Sequence, residues 1–291
     1  MIINVLSLFD GISCGKVALD RVGIKADTYY ASEIDDKAIE VSVRNHPDIV
    51  HLGNVEKWKE WDIEWNKIDL LIGGSPCQGF STSGKMLNFD DPRSKLFFKY
   101  VEILNHIRIH NPNVKFMLEN VKMKEEWIEI ISKELNEVHE EINSSLVSAQ
   151  NRKRLYWFNW DIEEIKDKGI SLSDILEDDT YVNPAAIRTR PIVSEGRRRS
   201  LCLEVNDRNK SLCLLTVNLN NIVSSLPKGR YLDVNKYNYP RRNYTTREMC
   251  RLQTLPDDYV DNSTNINASA KLLGNAWTAD VISHIFKGLH K

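Results

Sequence analysis

The chain has 291 residues, which is long enough for one large domain or two unequal domains with a buried core. Its charged and hydrophobic fractions, 27% and 42%, exclude extended disorder, and no apolar run is long enough to span a membrane. The formal net charge of −2 argues against nonspecific nucleic-acid binding by the chain as a whole.

The N-terminal segment has the pattern of a strand, a glycine turn and a helix. Residues 2–9 are β-like, residues 10–15 form the turn, and apolar residues at near-helical spacing follow. This arrangement aims backbone N–H groups and a helix N-terminus at a ligand. Glu33 ends the second predicted strand, about 20 residues after the turn, where an acidic side chain accepts hydrogen bonds from ribose hydroxyls. The two features together predict a nucleotide-like ligand.

Cys77 follows the fourth predicted strand in a polar loop. Residues 68–72 form a short apolar strand, Gly73 and Gly74 break it, and Pro76 places the cysteine at the mouth of the loop. Open α/β sheets carry their chemistry at strand ends, and a thiolate forms more readily than an alkoxide. The alternative is a small buried hydrophobic residue. The polar sequence that follows favours the nucleophile.

Strands and helices alternate through the rest of the first 160 residues. The predicted elements are a helix over 35–45, a strand over 49–52, a helix over 95–109 capped by Ser94, a strand over 115–118 and a helix over 124–137. The apolar residues of the helix over 95–109 follow the 3.6-residue period and so form a stripe along one face. Glu119 follows the fifth strand and so has the same topological position as Cys77. Arg152 and Arg154 alternate beside an aromatic strand over 155–158, which predicts that both lie on one side of it.

The composition changes near residue 161. Over 161–243 the patterns are irregular, which predicts a second, smaller domain with few long elements. Residues 186–242 hold twelve basic and four acidic side chains. This excess indicates a local polyanion-binding face, or else a solvated loop region with chance arginines. Regular patterns return with helices over 247–253 and 279–289, and the last is expected to pack back on the first domain.

The cysteines and the N-terminus bear on the cellular compartment. The five cysteines include no CxxC pair, which argues against a zinc site or a disulfide framework and favours a reducing compartment. The first residues lack a basic segment and have the pattern of a strand instead of a secretory signal. We therefore expect a cytoplasmic protein.

These motifs, in this order, resemble those of cytosine carbon-5 DNA methyltransferases over roughly 1–160 and 244–291. The resemblance is carried by Phe9-Asp10-Gly11 with Gly15, Glu33, Pro76-Cys77-Gln78, Glu119-Asn120-Val121, Gln150-x-Arg152-x-Arg154, Arg247-Glu248, Arg251-Leu252-Gln253 and Gly274-Asn275. Several segments look most like the catalytic domain of de novo DNA methyltransferases. Gln78 and Asn275 are closer to bacterial relatives, and the compact size suits a prokaryotic or phage enzyme.

The resemblance implies an α/β fold. It implies a Rossmann-like S-adenosylmethionine-dependent methyltransferase domain, with a mixed, mostly parallel sheet, and a small irregular target-recognition domain. The catalytic and cofactor-binding domain would cover 1–160 and the target-recognition domain 161–243. The C-terminal segment, 244–291, would complete the catalytic domain.

The resemblance also implies a covalent mechanism for methylation of cytosine carbon 5. Cys77 would add as a thiolate to carbon 6 of a flipped-out base, which makes carbon 5 nucleophilic toward a methyl sulfonium. Glu119 would protonate or hydrogen-bond ring nitrogen 3, and Arg152 would hold the carbonyl oxygen of the base. Arg154 would seat the active-site loop or a phosphate, and residues 78–93 would close over the base.

S-adenosylmethionine is the implied cofactor. The turn from Phe9 to Gly15 would line its methionine part, and Glu33 would bind its ribose. Asn54 stands where the family usually has Asp, and its amide oxygen would accept a hydrogen bond from the adenine amino group. The implied cofactor residues are Phe9, Asp10, Gly11, Ile12, Ser13, Gly15, Glu33, Ile34, Asn54, Pro76, Leu96, Asn275, Ala276 and Trp277.

The implied partner is double-stranded DNA, with no membrane and no metal, and self-association into a homo-oligomer is left open. Arginine suits bidentate guanine contacts, although phosphate contacts are the more frequent role. The DNA-binding candidates are Gln78, Ser81, Ser83, Arg188, Arg190, Arg197, Arg198, Arg199, Arg241 and Arg242.

Two other functions compete with DNA methylation. One is a tRNA cytosine carbon-5 methyltransferase built on the same catalytic domain, although the chain lacks the Cys-Phe-Thr segment those enzymes carry. The other is a catalytically silent DNA-binding relative. Such relatives usually lose the nucleophile, whereas this chain keeps Cys77.

Overall fold

The computed structural model describes residues 1–76, 94–178, 180–191, 199–217, 221–231 and 233–290. Contacts divide the chain into two compact units. The first unit comprises Met1–Asn143, Lys153–Glu164 and Val281–Lys291, and the second comprises Ser144–Arg152 and Ile165–Asp280. This division follows contacts, whereas the predicted boundaries at 160 and 243 rest on the change of sequence pattern and on the family resemblance, and they stay a prediction.

A mixed sheet forms the centre of the first unit. Its strands are β1 (Ile2–Leu8), β2 (Lys25–Ser32), β3 (Val50–His51), β4 (Leu70–Gly74), β5 (Lys115–Val121), β6 (Glu140–Asn143) and β7 (Lys153–Phe158). The strand order is β3-β2-β1-β4-β5-β7-β6; β1 to β5 are parallel, and β7 is antiparallel to both its neighbours. The predicted mixed, mostly parallel sheet is thus confirmed.

Four helices follow strands of this sheet in the chain: α1 (Cys14–Arg21), α2 (Asp36–Asn45), α3 (Ser94–His110) and α4 (Glu125–Leu135). The chain also forms α5 (Thr246–Leu252) and α6 (Ile266–Asn275), which belong to the second unit, and α7 (Ala279–Lys287). Asp35 caps α2, because its side chain accepts a hydrogen bond from the backbone N–H of Lys37 at 3.1 Å. Residues from Val281 onward belong to the first unit, as predicted for the last helix.

The core of the first unit forms where α3 meets β4 and β5. The apolar stripe predicted for this helix is buried, and Phe97, Leu104 and Ile107 lie in one hydrophobic cluster with the central strands. The hydroxyl of Tyr100 donates to the carbonyl of Met117 at 3.0 Å, which satisfies the buried phenol. Each fully buried side chain of this size contributes about 1.5–3 kcal/mol to folding. This packing fixes the strand ends that carry the candidate site.

The second unit contains an antiparallel sheet. Its strands are β8 (Asn183–Pro191), β9 (Arg199–Val205), β10 (Ile222–Ser224), β11 (Gly229–Tyr231) and β12 (Arg241–Asn243), in the order β11-β9-β8-β10-β12. The sequence predicts few long elements here, and β10 to β12 have three residues each. The irregular patterns of this region did not reveal β8 and β9, which have nine and seven residues, although Leu201, Leu203 and Val205 of β9 occupy alternate positions.

Gly274 lies in the last turn of α6 where another backbone segment approaches it. A Cβ at this position would lie 2.6 Å from the backbone C of Leu215 and the backbone N of Thr216. We therefore expect Gly274→Ala to lower the free energy of unfolding by about 3 kcal/mol, since main chain must shift to admit the methyl group. Thermal unfolding measures the effect, with Lys271→Ala, exposed on the same helix, as control. An unchanged midpoint for Gly274→Ala would contradict the close approach.

Candidate functional site

The candidate site lies at the carboxyl ends of the parallel strands of the first unit. The strand order reverses between β1 and β4, and open α/β sheets bind ligands in the crevice outside such a point. The turn 9–15 follows β1, Glu33 follows β2, and Ser75 and Pro76 follow β4. Three separate segments that the sequence singled out therefore end at one edge of the sheet.

The turn after β1 has an unusual backbone. Phe9, Gly11 and Ser13 all adopt left-handed conformations, with φ of 56°, 60° and 61°. For the two non-glycine residues this conformation costs roughly 1–2 kcal/mol each. A Cβ on Gly11 would meet nothing within 4 Å, so this part of the turn borders open space. The strained turn therefore leaves room beside its backbone for a ligand.

Asp10 anchors the turn from inside the protein. Its carboxylate accepts hydrogen bonds from the hydroxyl groups of Tyr29, at 2.8 Å, and Ser13, at 2.5 Å. The Ser13 hydroxyl also contacts the hydroxyl of Ser42 at 2.6 Å. Desolvation raises the pKa of Asp10 above its ordinary value, against the lowering effect of these hydrogen bonds. The described contacts therefore give this carboxylate a role in holding the turn.

The carboxylate of Glu33 is held by three backbone amides. The N–H of Gly11 donates to Oε2 at 2.8 Å, and the N–H groups of Ile34 and Asp35 donate to Oε1 at 2.7 and 2.9 Å. Oε1 accepts two of these bonds and Oε2 only one, so Oε2 keeps a lone pair for a further donor such as a ligand hydroxyl. The side chain of Ile34 is 70% exposed directly beside it. A fixed carboxylate next to an exposed apolar side chain fits the ribose and the base of a nucleoside.

The other predicted cofactor residues divide between the two units. In the first unit, Asn54 caps a 3₁₀ helix, Val55–Glu60, and its side-chain oxygen accepts the N–H of Glu56 at 2.9 Å. Pro76 and Leu96 are half-buried there. In the second unit, Asn275 is exposed while Ala276 and Trp277 are buried.

Glu119 forms an ion pair with Arg154 within the first unit. Glu119 lies inside β5, where it pairs with Gly74, the last residue of β4. Arg154 lies on β7 opposite Val121, which makes it a diagonal neighbour of Glu119. Its Nε lies 3.1 Å from Oε1 of Glu119, and both side chains are largely buried. The pair brings a carboxyl and a guanidinium together beside the strand that leads to Pro76.

The side chain of Asn120 has a role that the sequence interpretation did not assign. Its Nδ2 donates to the backbone carbonyl of Ser75 at 3.3 Å and to the hydroxyl of Ser75 at 3.1 Å, and both residues are buried. These bonds tie the end of β5 to the segment that leads to Cys77. In the sequence, the signal for this role was the position of Asn120 between Glu119 and Val121 in a motif of the resemblance. The contact with Ser75 shows what the side chain does.

Several predicted site residues lie outside the described residues. These are Cys77, Gln78, Ser81, Ser83, Arg197 and Arg198, together with the remainder of the loop 78–93. Arg199 begins β9, but its side chain is also outside the described part. Their proposed roles stay predictions.

Arg152 makes contacts that differ from the expectation. The strand β7 begins at Lys153, so Arg152 precedes the strand and belongs to the second unit. Its guanidinium is a cross-link within that unit and the residue is only 4% exposed. Nη1 donates to the carbonyl of Leu214 at 3.2 Å, and Nη2 donates to the carbonyls of Gly274 and Ala276 at 3.0 Å each. These three bonds connect backbone carbonyls of separate segments of the second unit.

The described arginine candidates for DNA binding are held by partners within the second unit. Arg242 makes a bidentate pair with the fully buried carboxylate of Glu248, at 2.6 and 2.7 Å. Arg241 donates to the carbonyl of Tyr239 at 3.2 Å. Arg188 and Arg190 both approach Glu204. Sequence alone did not distinguish these environments, because the acidic partners lie on other elements.

Within the described ranges, no group of three or more His, Cys, Asp or Glu side chains is arranged to hold a metal ion. Of the helices in that part of the chain, none has both the length and the apolar character required to cross a bilayer.

The sequence matches the family described as C-5 cytosine-specific DNA methylase over residues 3–189 and 195–291. The orphan methyltransferase M.SPRI of Bacillus phage SPR is 27% identical over 296 residues, which cover 97% of this chain and 63% of that relative. The chain thus spans less than two thirds of its length. The type II methyltransferase M.NgoPII of Neisseria gonorrhoeae is 26% identical over 336 residues, which cover 99% of this chain and 95% of the relative.

Solved structures share the fold at lower sequence identity. A DNMT2 of Spodoptera frugiperda has a TM-score of 0.67 and 20% identity, and the match covers 99% of this chain and 100% of the other. The methyltransferase EhMeth of Entamoeba histolytica has a TM-score of 0.69 and 17% identity, with coverage of 99% and 98%. At these identities the likeness is one of fold, and it agrees with the predicted Rossmann-like methyltransferase domain.

Proposed function

The chain belongs to the C-5 cytosine-specific DNA methylase family, and from this premise we propose that it transfers a methyl group to carbon 5 of cytosine in duplex DNA. The observation that carries the proposal is the ion pair between Glu119 and Arg154, beside the end of β4. A carboxyl and a guanidinium at this edge match the two hydrogen-bonding sides of a cytosine ring, its N3 and its carbonyl oxygen. Pro76 and Cys77 follow β4 directly in the chain.

S-adenosylmethionine is the methyl donor in this proposal, and when bound it supplies an electrophilic methyl group on a sulfonium. Glu33, with its carboxylate fixed by three amides, would accept hydrogen bonds from the ribose hydroxyls. Ile34 would cover the adenine, and the turn from Phe9 to Gly15 would surround the methionine part. The fit rests on the open space beside Gly11 and on the lone pair that Oε2 of Glu33 retains.

The residues of the chain would activate the base in two linked steps. The Cys77 thiolate would add to carbon 6, so that the carbon 5–carbon 6 double bond supplies the electron pair that attacks the methyl group. Glu119 would donate a hydrogen bond or a proton to N3 and so stabilise the adduct. Loss of the carbon 5 proton, to water, would then restore the double bond and release Cys77. The base must leave the duplex for the thiolate to reach it.

We assign the guanidinium of the reaction site to Arg154. The Nε of Arg154 approaches one oxygen of Glu119, which would orient the carboxyl toward N3. Nη1 donates to the backbone carbonyl of Lys153 at 2.8 Å, and Nη2 would be the group that donates to the base carbonyl. Arg152 has the role of a structural cross-link in this proposal, because its described donors bind carbonyls of the second unit.

The experiment is bisulfite sequencing of plasmid DNA from a methylation-free host that expresses the chain. We expect methylated cytosines in a reproducible sequence context with the natural chain and none with Cys77→Ser. Cys202→Ser is the matched control, because the Cys202 thiol donates to the carbonyl of Ser200, and a serine hydroxyl can make the same bond. Methylation that persists in Cys77→Ser would refute the covalent mechanism. Transfer of labelled methyl to tRNA but not to duplex DNA would replace the proposal with the tRNA alternative.

A further inference from the structure

Three arginines approach one carboxylate on the sheet of the second unit. Arg188 and Arg190 alternate along β8 and so lie on one face of it, and Arg230 on β11 lies directly opposite Glu204 on β9. Arg190 makes a bidentate pair with Glu204, with Nε at 2.7 Å and Nη2 at 2.9 Å. The Nε atoms of Arg188 and Arg230 lie 3.4 and 3.5 Å from the same carboxylate. We name Arg188, Arg190 and Arg230 the arginine cluster.

The arginine cluster carries more positive charge than its carboxylate can balance. The pKa of Glu204 is lowered from its ordinary value, first by the hydrogen bond from Arg190, so the carboxylate is ionised at neutral pH. The three cations and one anion leave a local excess of two positive charges. The side chain of Glu204 is 19% exposed, whereas those of Arg188, Arg190 and Arg230 are 45%, 37% and 57% exposed. The excess charge therefore faces solvent, where an anion can reach it.

The geometry of the arginine cluster favours a phosphate group over the edge of a base as its ligand. A guanidinium reads guanine by presenting two parallel N–H donors, and Arg190 already uses such a pair on Glu204. Arg188 and Arg230 approach the carboxylate through Nε at the longer distances of 3.4 and 3.5 Å, so Glu204 holds them less tightly than it holds Arg190. Guanidinium groups on the two strands that flank β9 form a shallow cationic surface, which suits the oxygens of a phosphodiester chain.

We propose that the arginine cluster binds the phosphate backbone of duplex DNA and that Glu204 positions the three guanidinium groups for it. The inference rests on the proposed function and adds a contact surface to it. Arg230 is the new member, since the sequence pattern singled out only the two arginines on β8. Because phosphates are the same at every base pair, the cluster would contribute affinity without contributing sequence preference.

The test is the salt dependence of DNA binding by Arg230→Gln in the full chain. Lys228→Gln is the matched control, because Lys228 is on the same segment, loses the same charge and pairs with Asp207 outside the cluster. Dissociation constants for duplexes of different sequence are measured over a range of NaCl concentrations. We expect Arg230→Gln to reduce the slope of log affinity against log salt by about 0.9 and to weaken every duplex by the same factor. Lys228→Gln is expected to keep the natural slope.

Three outcomes would overturn the proposal. The first is an unchanged slope of log affinity against log salt in both Arg230→Gln and Arg188→Gln. The second is a loss of slope in Lys228→Gln equal to that in Arg230→Gln. The third is a loss of affinity confined to one DNA sequence, which would indicate that the cluster contacts bases. Methyl transfer at saturating DNA separates this inference from the proposed function. If the natural chain methylates DNA but the slopes do not change, only the role of the cluster fails. If the natural chain methylates no DNA, the proposed function fails whatever the slopes show.

Discussion

Glu119→Gln is expected to lower the rate of methyl transfer by a factor of about 10²–10⁴, the usual contribution of a positioned acid or base. The amide has nearly the same shape, and its oxygen can still accept a hydrogen bond from Nε of Arg154, 3.1 Å from Oε1 in the natural pair. It cannot give up a proton to N3 of a cytosine adduct. The loss should therefore appear in the chemical step, with little effect on the fold.

Single-turnover methyl transfer to duplex DNA, with enzyme in excess, measures this step directly. Glu126→Gln is the matched control, since Glu126 is exposed on α4 in the same unit and loses the same charge. Thermal unfolding of both variants should stay close to that of the natural chain. A single-turnover rate for Glu119→Gln within about twofold of the natural rate would remove this carboxyl from the mechanism and, with it, the observation on which the proposed function rests.

Local patterns predicted the elements that place the site. The helical stripe of α3, the apolar strand β4 and the glycine turn after β1 follow from residue spacing alone, and each is present in the structure. Glu33 and Glu119 were found because each is an acidic residue at or near the end of an apolar strand. The carboxyl ends of parallel strands lie at one edge of a sheet, so local sequence was sufficient to predict that such residues share that edge.

Contacts between distant segments were beyond the sequence pattern. Arg152 and Arg154 are two residues apart and look equivalent, yet the strand begins between them and their guanidinium groups bind different partners. The partners of Arg152 lie 62 to 124 residues further along the chain. The pairing of Asn120 with Ser75, 45 residues away, was invisible for the same reason. Periodicity reports which face of an element is buried, but it carries no information on which carbonyl or hydroxyl a buried polar group meets.

Arg152→Met is expected to lower the free energy of unfolding by roughly 3 kcal/mol or more, because it leaves buried carbonyls without their donors. The methionine fills much of the same volume but cannot donate to the carbonyls of Leu214, Gly274 and Ala276. The free energy of unfolding of Arg152→Lys should lie between those of the natural chain and Arg152→Met, since a single ammonium group cannot span all three oxygens as the planar guanidinium does.

Arg154→Met provides the matched comparison, because it removes the same side chain two residues away. It is expected to lower the free energy of unfolding as well, by about 3 kcal/mol, because it leaves the largely buried carboxylate of Glu119 without this ion-pair partner. It should also slow single-turnover methyl transfer strongly, whereas Arg152→Met, measured on folded protein, should not. The transfer rate, read beside thermal and urea unfolding, therefore separates the two arginines. If Arg152→Met unfolded like the natural chain but lost methyl transfer, Arg152 would be the residue that holds the base. The cross-link within the second unit would then contribute little to stability, and the sequence-based assignment of the two arginines would be the correct one.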